Sequence, residues 1–355
     1  MSKPTRALAK AAALALLAAG VSQPSPSHGQ QPPRYEVDRA WPKTFPDHWV
    51  FGAIGGLCVD ANDHVFILHR QDPPAGDSNA GHLAPPVIEV DAAGNLIKAW
   101  GDPKRMDPRL HSCAFDKQGN IWIGAAPSGM VQKYSHDGKL LLQVGQKGVY
   151  DTADGTEKGK PLNSDASVFT QPSSIWIDPA DGDVYVSDGE GPKGNRRVVV
   201  MTGEGKFLRQ WTIDATSIHC MSVAHDGLFY MCDRPGGRIL VYDKMGKFKK
   251  ALDVPWTPYT APADGKAKES GGSVVSLDFS HDAHQSMIFL LSQNNDNVAI
   301  LDRRSGKILS TFGDGAGHFP GQFDQPHGLA ADSKDNVYVS ENRGRRVQKF
   351  TPVGR

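Results

Sequence analysis

The sequence carries no charge of one sign to spare: 39 lysines and arginines stand against 39 aspartates and glutamates. No basic patch or stripe of the kind that binds phosphate backbones stands out, which excludes nucleic acid as an expected partner. No apolar run approaches the ~20 residues needed to cross a bilayer; the Ala11–Ala19 run is too short. Cysteine is scarce, with four residues at neither zinc-ribbon nor redox spacing, and this excludes a thiolate metal site. No phosphate-binding loop is present, and no long amphipathic stretch announces a helix. What is abundant is turn punctuation, 38 glycines and 25 prolines scattered between short apolar runs, and this composition favours one β-rich unit.

The amino terminus reads as processing information. Lys3, Arg6 and Lys10 precede the apolar run, and Ala18-Ala19-Gly20 offers small residues for cleavage, so residues 1–20 are expected to be a signal peptide. Residues 21–33, rich in Pro, Ser and Gln, are expected to be a flexible leader. The remaining 34–355 would then be an exported domain without a membrane span, holding 36 basic against 39 acidic side chains. Export permits disulfides. Cys220 and Cys232 flank a hairpin turn at Asp226-Gly227, and they are either bridged or two small buried hydrophobes.

One pattern recurs down this domain: a short strand ending in Asp, a Gly, Asp or Asn turn, a strand of the type VYVS, a loop, a third strand and another Gly turn. Copies begin at Gly55, His111, Gln171, His219, Ser273 and Pro326. Six such units predict an all-β, six-bladed propeller. The last copy ends almost at the carboxy terminus, so its outermost strand must come from elsewhere. The segment RYEVDRAWP, residues 34–42, is expected to close the ring and remove an exposed sheet edge.

Aligned on the Asp that ends the first strand, the residue five positions earlier is Gly55, His111, Ser173, His219, Ser273 and His327 in turn. Histidine occupies alternate blades, a third of a turn apart around one axis. Three imidazoles converging there with an open position suit a catalytic metal, zinc foremost. His69, His82, His225 and His284 share no such register. A second register, at the end of the second strand, reads Arg70, Ala126, Gly189, Arg234, Gln293 and Asn342. Two arginines near a metal suggest an anionic small substrate; the alternative is structural pairing with Asp72 or Asp233.

The stretch HFPGQFDQPHGLAADSKDNVYVSENRGRRVQKF from His318 resembles an NHL repeat. Across most of residues 34–355, the succession His69-Arg70, LHSCAFDKQGN from Leu110, FTQPSSIWIDPADGDVYVSDG from Phe169, CDRPGGRI from Cys232 and FDQPHG from Phe323 is similar to the peptidyl-α-hydroxyglycine amidating lyase family. The resemblance implies a six-bladed propeller with zinc on His111, His219 and His327, a substrate-binding arginine at Arg70 and a second site arginine at Arg234. It covers the lyase alone, without the copper monooxygenase domain that some members carry. Three positions depart from the family. Its catalytic tyrosine falls at Glu190, its methionine beside the last zinc ligand becomes Gln325, and an aspartate that helps hold a structural calcium becomes Gly328. Glu190 is a candidate base, although its Gly-rich surroundings, GEGPKGN, favour a solvated loop. The function expected is therefore an exported zinc-dependent carbon–nitrogen lyase acting on a small anionic or peptide-like substrate. A zinc hydrolase on the same site and a non-enzymatic binding propeller are the alternatives.

Overall fold

The computed structural model describes residue 1 and residues 33–73, 76, 81–126, 128–149, 169–191, 194–256, 259–260, 267–268 and 271–354. Residues 33–355 form one unit; the expected signal peptide and nearly all of the expected leader lie outside the described residues. Among the described residues no helix is long and apolar enough to cross a membrane.

The repeat grammar becomes six four-stranded antiparallel sheets. Their innermost strands are Ile54–Val59, Ser112–Phe115, Pro172–Ile177, Ile218–Val223, Ser276–Phe279 and Pro326–Ala331. Each touches the innermost strand of the next blade, and the sixth touches the first. The sixth blade takes its outer strand from Arg34–Val37, which pairs antiparallel with Val347–Val353. The predicted closure is therefore present, over a shorter span than residues 34–42.

The Asp that ends the first strand earns its place through its side chain. Asp60 Oδ1 accepts from the amides of Asn62 and His64, each at 2.8 Å, and Asp116 and Asp332 hold equivalent turns. Such Asx geometry fixes a tight reversal. The turn also needs a residue at positive φ, met by Asp63 at 62°, Gly119 at 76° and Asp335 at 61°.

Strand pairs of this kind bury both faces because each blade is sandwiched between two others. The core accordingly divides into six clusters, one per seam. Trp122, Val131 and Phe169 pack with Val184 and Val186 between blades two and three; Phe289, Phe323 and Phe350 pack between blades five and six. Each such side chain contributes roughly 1.5–3 kcal/mol of transfer free energy on burial. Outer strands such as Leu140–Val144 face solvent on one side.

Two disulfides are present, one within a blade and one between blades. Cys220–Cys232 spans the inner hairpin of blade four, where a register shift between Ile218 and Met221 accommodates it. Cys58–Cys113 ties the inner strand of blade one to that of blade two, a pairing the sequence reading did not contain.

His69, at the end of the second strand of blade one, is fully buried. Its Nε2 accepts from the Gly52 amide, and its Nδ1 lies 2.7 Å from the Gln71 side-chain nitrogen. Burial pushes its pKa down to about 4. The unfolded chain therefore binds an extra proton between about pH 6.5 and about pH 4, and stability is lost as pH falls through that window. This group should cost about 2 kcal/mol between pH 7 and pH 5. Urea midpoints at the two pH values, compared with His69→Gln, check it: the variant should show a flatter dependence.

Candidate metal centre

In blades two, four and six the ring position that the sequence register identified lies within one residue of the start of the innermost strand, and His111, His219 and His327 stand there. Their ring centroids lie 4.9, 4.9 and 4.8 Å apart, and their residues are almost wholly buried. Each imidazole is oriented by the backbone of the following blade. Nδ1 of His111 donates to Ser173 O at 2.7 Å, that of His219 to Val275 O at 2.7 Å, and that of His327 to Gly55 O at 2.8 Å. The proton on Nδ1 leaves Nε2 as the bare donor atom, the outer-shell arrangement usual for ligating histidine.

These acceptors correct the register in blade five. Its first turn, residues 281–286, is longer than the three-residue turns such as 61–63, and Ser280, not Asp278, occupies the strand-ending position. Five residues back lies Val275, not Ser273. The ring is therefore Gly55, His111, Ser173, His219, Val275, His327: every histidine ties to the ring residue one blade onward.

Glu190 does not sit in a solvated loop. Its Oε2 lies 3.3 Å from His111 Nε2, and its Oε1 lies 3.7 Å from His219 Nε2 and 4.0 Å from Arg234 Nη1. The preceding residue explains this. Asp188, fully buried, accepts from the Thr170 and Gln171 amides and pairs with Arg197, which anchors the chain just before Glu190 against the ring. One ligand atom from each of His111, Glu190, His219 and His327 falls within 4.8 Å of the others. Nε2 of His111 and of His219 is buried without a hydrogen-bond partner. Such orphaned atoms are what a bound cation would satisfy, so the donor set fits a divalent metal.

Burial holds His219 and His327 well below the usual imidazole range, reinforced by Arg234 for the first and by the other two histidines for the second. Both present neutral nitrogens. The Glu190 carboxyl is held well below the usual carboxylate range: burial would raise it, and positive charge shared onto the facing imidazoles, His111 foremost, would pull it down.

On one side of the ring opens a cavity of about 380 Å³ lined by Arg70, Arg109 and Arg234 with Glu190 and Asp72. The residues of the second register all directly follow their strands, as expected. Neither arginine takes the pairing set against the substrate role. Asp72 caps the Ala53 amide and Asp233 pairs with Arg238. Arg234 instead donates through Nη2 to Gln293 Oε1 at 2.6 Å, and Gln293 donates to Pro326 O. Sequence reasoning placed Gln293 in register without seeing this bracing role. Nε of both Arg70 and Arg234 is buried and unpartnered, and burial lowers both guanidinium pKa values. An anion entering the cavity would relieve that cost.

On the other side of the ring, the channel holds Gly328. A Cβ there would lie 2.7 Å from Ser340 Oγ, so the backbone is packed against Ser340 and the carboxylate implied for calcium has no counterpart. The residues at this position do not fit that ion.

Residues 323–350 match the NHL repeat family. The chain is 23% identical over 348 residues to peptidyl-glycine alpha-amidating monooxygenase B of Xenopus laevis, across 89% of this chain and 35% of that protein. It is 25% identical to NHL repeat-containing protein 3 of Homo sapiens, over 90% of this chain and 84% of that one. It thus spans about a third of the length of the amidating monooxygenase and most of the second relative. Among solved structures it is similar in fold to a catalytically inactive virginiamycin B lyase from Staphylococcus aureus with quinupristin, at a TM-score of 0.52 and 12% identity, covering 90% of this chain and 89% of that one. The chain is a six-bladed propeller with an NHL repeat, homologous at low identity to the peptidylglycine alpha-amidating monooxygenases.

Proposed function

We propose that this protein is an exported, metal-dependent lyase that breaks the C–N bond of a small carboxylated carbinolamide, with zinc as the metal. The observation that carries the reading is the convergence of three imidazoles and the Glu190 carboxylate, with His327 and Glu190 themselves lining the arginine-rich cavity. The homology to amidating enzymes supports it, and the two disulfides, which persist in oxidising compartments, support export.

His111, His219 and His327 would hold the metal, which when bound supplies Lewis acidity that lowers the pKa of a neighbouring hydroxyl. Arg70 takes the substrate carboxylate through its unpartnered Nε edge. Arg234, braced by Gln293, orients the substrate and balances charge. Glu190, ionised at neutral pH, accepts the hydroxyl proton on its carboxylate. The O–H electron pair then becomes the second bond of a carbonyl, the C–N bond breaks, and the amide nitrogen takes up a proton. An α-hydroxyglycine substrate yields an amide and glyoxylate.

The test is glyoxylate release from an α-hydroxyglycine peptide by zinc-loaded protein. Arg70→Ala should lower kcat/KM by about 10- to 100-fold, mainly through KM, the equivalent of one charge-assisted hydrogen-bond pair. Stoichiometric metal with no glyoxylate would sink the lyase reading.

A further inference from the structure

The cavity above the histidine ring carries more positive charge than one substrate carboxylate answers. Its lining holds five guanidiniums, those of Arg70, Arg109, Arg234, Arg343 and Arg345, against the two carboxylates of Asp72 and Glu190. The excess is three positive charges, before any metal is bound. Like charges gathered in a cleft repel one another, and the cleft focuses their field on an entering anion.

Arg70 is buried and Arg234 largely so, and these two stand deepest. The other three form the rim. Arg343 is engaged, with Nη2 3.0 Å from Asp324 Oδ1. Arg109 is exposed, and among the described residues its guanidinium makes no hydrogen bond or ion pair. Its backbone, by contrast, is fixed. Asp107 Oδ1 accepts from the Arg109 amide at 2.7 Å, and the Gln71 amide donates to Pro108 O at 3.3 Å. A Cβ at Gly55 would overlap Leu110 O and lie 2.9 Å from Arg70 Nε. The segment that carries Arg109 is therefore held against the one that carries Arg70. After burial, the charge of Arg109 is the next influence that lowers the Arg70 pKa. An anion reaching both guanidiniums would relieve that repulsion.

We propose that the substrate carries a second carboxylate, on the acyl side of its carbinolamide, and that Arg109 binds it. The inference rests on the lyase reading: Arg70 takes the carboxylate beside the reacting carbon, and the acyl chain leaves toward the mouth, where Arg109 stands. The substrate class is then an N-acyl-α-hydroxyglycine whose acyl chain ends in an acid. N-succinyl-α-hydroxyglycine is the simplest probe. The bond broken is the C–N bond described above, and the products are succinamate and glyoxylate.

The experiment compares glyoxylate release from N-succinyl-α-hydroxyglycine and from its succinamoyl analogue, which has the same shape without the second charge. The parent should favour the acid by about 10-fold in kcat/KM, the scale of one charge-assisted hydrogen bond, and added salt should shrink that ratio. Arg109→Gln should bring the ratio to about 1, through KM. Arg304→Gln, an exposed arginine of blade five, should leave it unchanged. Calorimetric titration with glutarate and with its monoamide reads the same contact without catalysis: glutarate should bind about 10-fold tighter to the parent, and no tighter to the Arg109→Gln protein. Glyoxylate released equally well from both compounds overturns the inference and leaves the lyase standing. A preference for the acid that survives Arg109→Gln overturns it too. No glyoxylate from either compound, with an Arg109-dependent preference for glutarate, sinks the lyase and keeps Arg109 as the acid-binding residue. No glyoxylate and no such preference would sink both.

Discussion

His219→Ala should strip the axial zinc and lower kcat/KM for glyoxylate release at least ~10³-fold, about 4 kcal/mol of transition-state stabilisation. The expectation follows from the position of the side chain. His219 is 2% exposed, its Nδ1 is fixed on Val275 O, and its Nε2 has no other partner, so no neighbouring group can replace it. With two imidazoles left, the site loses a third of its nitrogen donors and the geometry that orients the others. The structural cost should be small beside this, about 1 kcal/mol for the lost hydrogen bond. Elemental analysis and a thermal melt separate the two effects. A folded His219→Ala protein with undiminished axial zinc and activity would refute the centre. His225→Ala, outside the ring, should leave both unchanged.

Arg197→Met should destabilise the domain by about 3–5 kcal/mol, because it removes the cation from a wholly buried ion pair. Arg197 Nε and Nη2 each lie 3.0 Å from Asp188 Oδ2. Burial already pushes the Asp188 carboxyl upward, and Arg197 is the first influence that opposes it. Without the guanidinium the carboxyl takes a proton, and the bonds to the Thr170 and Gln171 amides weaken with its charge. Glu190, two residues on, should then lose its place beside His111. Urea denaturation measures the loss, and activity should fall with it. Adding Asp188→Asn should recover much of the stability, since no buried charge then remains. A single-variant cost below about 1 kcal/mol would mean that the pair is no more than a surface one.

The repeat made the propeller legible, because the turn Asp and the VYVS-type strand recur at fixed offsets in most blades. The histidine ring was legible for the same reason: its members differ from their neighbours only in residue type, not in register. Blade five escaped because its six-residue turn carries a different Asp, Asp282, whose carboxylate accepts from the His284 and Ser286 amides. That insertion displaced the alignment by two. Glu190 escaped because glycines around it suggest freedom, whereas the fold restrains it through Asp188, a residue whose partners come from two separate segments, Thr170–Gln171 and Asn195–Arg197. The Cys58–Cys113 bridge was out of reach altogether, because only the packing of one blade on the next brings the two together.

The tie from His327 to Gly55 crosses 272 residues, and it joins the sixth blade to the first. Two of the three comparable ties, His111 to Ser173 and His219 to Val275, can form while the chain is still incomplete. The third requires the ring to be shut by Arg34–Val37 against Val347–Val353. A metal bound at the axis would therefore meet all three imidazoles only after the ring has shut, because a partial chain would offer two of them.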